Sequence, residues 1–222
     1  MDAFDLIGPI MVGPSSSHTA GAVRIANIAR SLARHKILHA NIFFHGSFAQ
    51  TYHGHGTDLA IIGGLLGLRP DDERMIHAFD LANDNGLTFC IRTIHIQGAH
   101  PNTVALELST TEHLMELEGV SIGGGNVKVV RIDGCTVDFS GRFHTLVIPH
   151  KDRPGQVARV TRILTEQGLN IAGMSVHRSY KGGDAMMIIE TDDAPEAFVI
   201  ERLENDEGVR SVAVSTPVYE FE

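Results

Sequence analysis

The sequence predicts an α+β protein built from two domains, an N-terminal mixed α+β domain and a smaller βαββαβ domain. The chain has 222 residues, 43% of them hydrophobic, which is enough to form two cores of ordinary size. Within residues 1–141, apolar side chains recur first at helical spacing and later in strand-like alternation. A fresh pattern of six elements then fills residues 145–222.

The first predicted helix covers residues 18–34 and follows a Gly-Pro turn. Isoleucine, alanine and leucine side chains form one stripe, and arginine, asparagine and serine side chains lie on another face. Ser17 is the expected N-cap, because a serine hydroxyl accepts a hydrogen bond from the free amides of a first helical turn. A short strand at residues 41–45 and a polar, turn-rich segment at residues 46–56 follow.

Two more helices and a run of strands complete the first domain. Thr57 is expected to cap the second helix, DLAIIGGLLGL, and Asp71 or Asp72 opens a third helix that ends at Gly86. The period then changes to that of strands in LTFCIRTIHI and TVALELST. The segment VSIGGGNVKVVRI is typical of two strands joined by a glycine turn.

The second domain begins after a boundary near residues 141–144. Its predicted strands are HTLVIPH, LNIAGMSVHRSY, DAMMIIETD and VRSVAVSTPV. Its helices lie within DRPGQVARVTRILTEQG and APEAFVIERLENDEG. The resulting order, βαββαβ, is the ferredoxin-like arrangement.

Composition excludes several classes of function. The formal net charge is −9 and basic residues are not clustered, so a nucleic-acid partner is not expected. No stretch approaches the ~20 apolar residues of a membrane span, and no signal segment is apparent, so a cytoplasmic chain without a membrane partner is expected. Cys90 and Cys135 are the only cysteines. Two isolated thiols are expected to be reduced and buried, and they are too few to hold a metal cluster.

A cluster of short polar side chains lies at the start of the first helix, in the segment GPSSSHTAG. A helix N-terminus offers free amides and a partial positive charge, so hydroxyls at Ser15, Ser17 and Thr19 would complete a site for a small carboxylate. His18 adds a side chain that titrates near neutrality. The simpler alternative is a serine N-cap with exposed neighbours, but the flanking Gly-Pro and Ala-Gly favour a fixed turn.

The segment HGHGTD is a second candidate site. Glycines on both sides of His55 would let the backbone expose its imidazole, and Thr57 and Asp58 could cap the next helix or orient a histidine. A cap beside surface histidines is one alternative. A zinc site on His53 and His55 is another, although no third ligand follows.

A third candidate is the glycine run of SIGGGN. Gly123 and Gly124 could cradle an anion with their amides, as glycine-rich turns do. A β-hairpin turn is the alternative use of the same residues.

The second domain resembles the ACT domain, a small regulatory module that senses amino acids, over residues 145–219. The matching residues are the loop that runs from Asp152 to Gly155 and the Asn-Ile pair that starts at Asn170. The resemblance implies effector binding at these positions, and Gly155 would allow close approach of the backbone. The same residues also suit ordinary turns, and many ACT domains only pair with one another. Self-association is therefore expected, and the presence of an effector stays open.

The three motifs, in this order and followed by an ACT domain, resemble the β subunits of bacterial iron–sulfur-dependent L-serine dehydratases over essentially the whole chain. The resemblance implies a lyase that removes water from L-serine. The aminoacrylate product then tautomerises and hydrolyses to pyruvate and ammonia, a reaction of amino-acid metabolism and gluconeogenesis. The resemblance also implies a 4Fe–4S cluster instead of pyridoxal phosphate, held by cysteines of a partner α subunit.

For this chain, the resemblance implies half of a shared active site with no metal ligand of its own. A free iron on the partner would act as a Lewis acid on the substrate carboxylate and leaving hydroxyl. His55 is the expected base for the Cα proton, His18 is the second candidate, and Asp58 orients the site. The residues expected to hold L-serine are Ser15, Ser17, Thr19, Thr57, Gly123 and Gly124.

Two other functions stay open at this point. One is a sensor that binds serine with both domains and has no catalytic role, since the first domain is also similar to an effector-binding domain of serine-pathway dehydrogenases. A pure sensor would not need a histidine between two glycines. The other is a histidine-ligated metal hydrolase, which would require that this chain alone bind a metal.

Overall fold

A computed structural model of the chain describes residues 9–219. The chain divides into two compact units, one up to Gly134 and one from Cys135 onward. The predicted bounds of the two domains, 1–141 and 145–222, stay a prediction. The α+β fold class, a mixed domain followed by a βαββαβ domain, is confirmed.

The first unit contains a mixed sheet whose strands follow the order β2-β1-β3-β4-β5. β1 and β2 are parallel, and the other neighbours are antiparallel. Its strands are β1 Ile37–His45, β2 Thr88–Ile94, β3 Thr103–Thr110, β4 Leu114–Gly123 and β5 Asn126–Ile132. Its helices are α1 Gly21–Ala33, α2 Gly46–Thr51, α3 Thr57–Leu65 and α4 Ala78–Asp84.

Helix α1 packs directly on the sheet and on α3, and glycines make both contacts close. A Cβ at Gly119 of β4 would lie 2.4 Å from Cγ2 of Ile25, so only glycine lets this part of the strand meet the helix. A Cβ at Gly64 of α3 would lie 2.6 Å from the Ala26 side chain. The apolar stripe predicted for α1 is buried, and its packing fixes this helix against the rest of the unit.

Several predicted boundaries differ from the observed ones. The segment after β1 is not only turns, because residues 46–51 form the short helix α2. β1 begins at Ile37 and β4 at Leu114, in each case several residues earlier than predicted. The third predicted helix is a 3-10 turn, Glu73–His77, followed by α4, and Asp72 caps that turn by accepting from the Arg74 amide.

The second unit has the predicted βαββαβ order, preceded by one strand that the prediction missed. Its four-stranded antiparallel sheet has the order β10-β7-β9-β8. One face of this sheet and the two helices form a core that includes Leu146, Met187, Leu164 and Leu203. The elements are β6 Cys135–Phe139, β7 His144–Lys151, α5 Gln156–Glu166, β8 Ile171–Arg178, β9 Asp184–Thr191, α6 Ala197–Glu204 and β10 Ala213–Ser215.

Candidate functional site

The serine-rich segment folds as a π-helical turn, Ser16–Ala20, that continues into α1. Ser15 has an extended backbone, and its Oγ accepts a hydrogen bond from the His18 amide at 3.3 Å. Ser15 is therefore the N-cap, and the prediction that Ser17 has this role is wrong. A π turn widens a helix locally and is frequent at functional sites.

Two glycines allow the tight packing of this turn. Gly13 has φ +147°, and a Cβ there would lie 2.5 Å from Oγ1 of Thr19. A Cβ at Gly21 would lie 2.3 Å from Oγ of Ser121 on β4. The turn is thus enclosed on two sides, which is the fixed arrangement that the flanking glycines predicted.

The His18 ring lies at the centre of the hydroxyl cluster and is only 9% exposed. Its Nδ1 lies 3.2 Å from Oγ of Ser15 and 3.2 Å from Oγ of Ser17. Burial, and secondarily the neighbouring His55, lower the pKa of His18 below its ordinary value. The ring is therefore neutral at neutral pH.

The His55 ring packs edge-on against the His18 ring, with centroids 4.7 Å apart and planes at 83°. The sequence places these two histidines far apart, and the structure brings both predicted proton-transfer residues together. His55 is half-buried, and its Nδ1 is buried without a hydrogen-bond partner among the described residues. Its backbone is fixed by Thr19, whose Oγ1 donates to the His55 carbonyl at 3.2 Å. The expected exposure of the imidazole is thus only partial.

Thr57 and Asp58 begin helix α3, where the predicted cap at Thr57 is wrong and Asp58 orients a histidine, which is one of its two predicted roles. The N-cap is Gly56 with φ +64°, so Thr57 is not the cap. Thr57 is fully buried, and its Oγ1 has no hydrogen-bond partner within residues 9–219. Oδ2 of Asp58 accepts a hydrogen bond from Nδ1 of His53 at 2.8 Å. The Asp58 carboxylate therefore orients His53 and not His55.

Ser47, at the start of α2, is a site residue that the sequence analysis did not identify. Its Oγ lies 3.1 Å from Nε2 of His18, on the opposite side of the ring from the serine cluster. Phe48, the next residue, is fully buried and meets the same ring edge-on at 5.2 Å. No sequence signal pointed to this contact, because 29 residues separate Ser47 from His18.

The glycine run forms the turn between β4 and β5. Gly124 and Gly125 form the turn with φ +59° and +78°, which suit a tight hairpin, and Gly123, with φ +101°, ends β4. The turn is attached to α1, because Nη1 of Arg24 donates to the Gly125 carbonyl at 2.8 Å. The three sequence motifs therefore meet around the first turns of α1, and an anion-binding role of Gly123 and Gly124 stays a prediction.

The predicted effector residues of the second unit lie at both ends of α5. Oδ2 of Asp152 accepts hydrogen bonds from the Gly182 amide at 2.9 Å and from Arg178 at 3.0 Å, which lower the pKa of Asp152. Gly155 is the N-cap of α5, with φ +84°. Asn170 follows the other end of the helix and donates to Oδ2 of Asp192 at 2.6 Å.

The described residues contain no group of three or more histidine, cysteine or acidic side chains placed to hold a metal ion. Cys90, on β2, and Cys135, on β6, are both free but only half-buried, so the expected burial is incomplete. Because a 4Fe–4S cluster needs four ligands of this kind, the cysteines of this chain do not fit one. No helix within residues 9–219 is long and apolar enough to span a membrane.

Together, the first unit offers chemistry for a small amino acid. Hydroxyl groups and an imidazole nitrogen that has no hydrogen-bond partner within residues 9–219 lie in one cluster, beside the first turn of a helix. Hydroxyls and helix amides can bind a carboxylate, and a neutral imidazole can accept a proton.

Comparison with known proteins gives two family matches and several relatives. The family described as serine dehydratase beta chain matches residues 2–83, and the ACT domain matches residues 144–208. The chain is 40% identical over 200 residues to the probable L-serine dehydratase, beta chain, of Bacillus subtilis (strain 168), covering 90% of this chain and 91% of the relative. It is 39% identical over 192 residues to the L-serine dehydratase, beta chain, of Peptoniphilus asaccharolyticus, covering 86% of each.

A third similarity is to a different enzyme. The chain is 28% identical over 154 residues to D-3-phosphoglycerate dehydrogenase of Bacillus subtilis (strain 168), covering 69% of this chain but 29% of the dehydrogenase. The beta-chain relatives, in contrast, are matched along most of their length. The resemblance predicted from the three motifs and the ACT domain is confirmed, and the chain belongs to the family of L-serine dehydratase beta chains, subunits of the enzyme that deaminates L-serine.

Proposed function

We propose that this chain supplies the substrate-binding and proton-transfer half of an L-serine dehydratase active site. The single observation that carries this proposal is the contact between the His18 and His55 rings inside a group of hydroxyl side chains. Water is lost from L-serine to give aminoacrylate, which tautomerises to an imine and hydrolyses to pyruvate and ammonia. The enzyme works in the cytoplasm without pyridoxal phosphate.

The substrate carboxylate binds at the start of α1. Ser15 and Ser17 are half-buried, and their hydroxyls lie 3.3 Å apart beside the capped turn. A carboxylate there accepts hydrogen bonds from these hydroxyls and benefits from the partial positive charge of the helix N-terminus. The Thr19 hydroxyl donates to the His55 carbonyl, and its contact with the substrate stays a prediction.

His55 is the better candidate for the base that removes the Cα proton. Both ring nitrogens of His18 already lie within hydrogen-bond distance of serine hydroxyls. Nδ1 of His55 has no such partner among the described residues. The His55 ring is half-buried and no serine hydroxyl of residues 9–219 holds it, so its lone pair is not already engaged, which supports His55 over His18.

The other half of the site belongs to an α subunit. Enzymes of this family depend on an iron–sulfur cluster, and the two cysteines of this chain do not fit one. We place the 4Fe–4S cluster on the α chain. The residues of this chain bind and orient L-serine and accept its Cα proton.

Self-association of this chain through the second unit is a further part of the proposal. β8 lies at an edge of its sheet and carries the exposed apolar residues Met174 and Val176, which are 38% and 42% exposed. Asp152 and Asn170 lie at opposite ends of α5, which has 11 residues and is about 16 Å long. An effector site that uses both residues would therefore combine two copies of the chain.

A sensor without catalytic duty is the second candidate function. The similarity to D-3-phosphoglycerate dehydrogenase and the ACT match favour it, because neither feature requires a dehydratase. Pyruvate release from L-serine, measured anaerobically, separates the two functions. Activity only after this chain is mixed with an iron- and sulfide-reconstituted α chain supports the dehydratase. Tight serine binding to this chain alone, with no activity in the mixture, supports the sensor.

A further inference from the structure

The Ser47 hydroxyl holds the His18 ring from the side opposite to the serine cluster. We propose that Ser47 is a positioning residue, which fixes the rotation of the His18 ring and, through that ring, the orientation of His55. This inference rests on the proposed function, because it concerns the base of the same reaction. Neither the sequence motifs nor the comparison with relatives identified Ser47 as a functional residue.

Ser47 is itself held firmly by the backbone around it. Its amide donates to the Pro101 carbonyl at 2.7 Å, and its carbonyl accepts from Oγ1 of Thr51 at 2.8 Å. Gly46, with φ +59°, permits this approach, because a Cβ there would lie 2.5 Å from the Pro101 carbonyl oxygen. The Ser47 backbone is therefore fixed, and one side-chain torsion places its Oγ beside the His18 ring.

The His18 ring has a hydroxyl at each end. Ser15 and Ser17 lie 3.2 Å from Nδ1, and Ser47 lies 3.1 Å from Nε2. A half-turn of the ring would exchange nitrogen and carbon positions and lose these contacts. Because Ser15 and Ser17 are close to His18 in sequence and already belong to its turn, Ser47 provides the long-range hydrogen bond between the ring and α2, beside the Phe48 ring contact.

The orientation of His55 depends on a fixed His18 ring. The two planes meet at 83°, so the edge of one ring lies against the face of the other. The ring planes of Phe48 and His18 meet at 66°. The His18 ring therefore lies between the rings of Phe48 and His55 and has little room to rotate. Rotation of His18 would therefore displace His55, and a displacement of about 1 Å at a reacting group is enough to lower a rate strongly.

Nuclear magnetic resonance of the full chain with ¹⁵N-labelled histidine tests the contact without requiring activity. We expect the ¹⁵N chemical shifts of the His18 ring in the native chain to show a hydrogen-bonded Nε2, and these shifts to change in Ser47→Ala. The pKa of His18 should rise in this variant, because water can reach Nε2. Ser47→Thr keeps the hydroxyl and should restore the native spectrum, and Ser31→Ala, a matched serine on α1 whose Oγ donates to Asn27, should leave it unchanged.

Steady-state kinetics of the complex with the α chain test the consequence. We expect kcat to fall about tenfold in Ser47→Ala with KM within about twofold, and near-native values in Ser47→Thr. Unchanged ¹⁵N shifts and an unchanged pKa of His18 in Ser47→Ala would overturn the inference, and so would a rise in KM at constant kcat. Absence of pyruvate from the native mixture would count against the proposed function, while the spectra would still decide the Ser47–His18 contact.

Discussion

Gly21→Ala is a sensitive test of how the π turn is enclosed. In an ordinary helix this change increases stability by about 1 kcal/mol, because alanine has the higher helix propensity. Here the added Cβ would lie 2.3 Å from Oγ and 2.9 Å from Cβ of Ser121, which is fully buried on β4. Overpacking of this kind costs about 1–3 kcal/mol, so we expect a net loss of up to about 2 kcal/mol.

A double-mutant cycle with Ser121→Gly separates the clash from helix propensity. Unfolding in urea, followed by circular dichroism, gives the free energy of unfolding of the native chain and the three variants. We expect Gly21→Ala to be destabilising when residue 121 is serine, and neutral or stabilising in the Ser121→Gly background. Equal effects of Gly21→Ala in both backgrounds would refute the close contact between α1 and β4.

Three further predictions concern the site and the second unit. The pKa of His18 is lowered from 6.5 in the folded chain. The unfolded chain therefore binds more protons between pH 6.5 and the folded pKa. The free energy of unfolding should fall as pH decreases through this range. His18→Gln should flatten this part of the curve of unfolding free energy against pH, and an unaltered slope would contradict the prediction. Thr19→Val removes the buried hydrogen bond to the His55 carbonyl and should cost about 1–2 kcal/mol in the same urea assay, whereas a change below ~0.3 kcal/mol would contradict that bond. Met174→Glu on β8 should weaken self-association in sedimentation experiments, and an unchanged molecular mass would argue against this edge as the contact.

The spacing of apolar residues predicted most of the fold, because it shows directly which side chains are buried. The stripe of α1 and the βαββαβ order both follow from apolar spacing, which tertiary contacts did not override. Helix α2 was missed because its sequence is polar and its first turn depends on a contact between the Ser47 amide and the Pro101 carbonyl. A bond between residues so distant in sequence leaves no local pattern.

The candidate site was predicted in composition but not in geometry. The motifs identified His18 and His55, yet only the fold shows that their rings touch. The predictions that His55 is exposed and that Ser17 is the N-cap differ from the structure for one reason. Local rules describe an isolated helix start, whereas other segments enclose this one. Asp58 likewise had two histidines within reach in sequence, and the structure pairs it with His53.

The most direct test of the central claim is anaerobic pyruvate release by this chain and its α partner, with the native chain compared with His55→Ala. We expect no release by either chain alone, release by the native mixture, and at least about a hundredfold lower kcat in the variant, as loss of a general base requires. Binding of the variant to the α chain is measured in parallel, to verify that the shared site is assembled. Near-native activity of His55→Ala in the assembled complex would contradict the account.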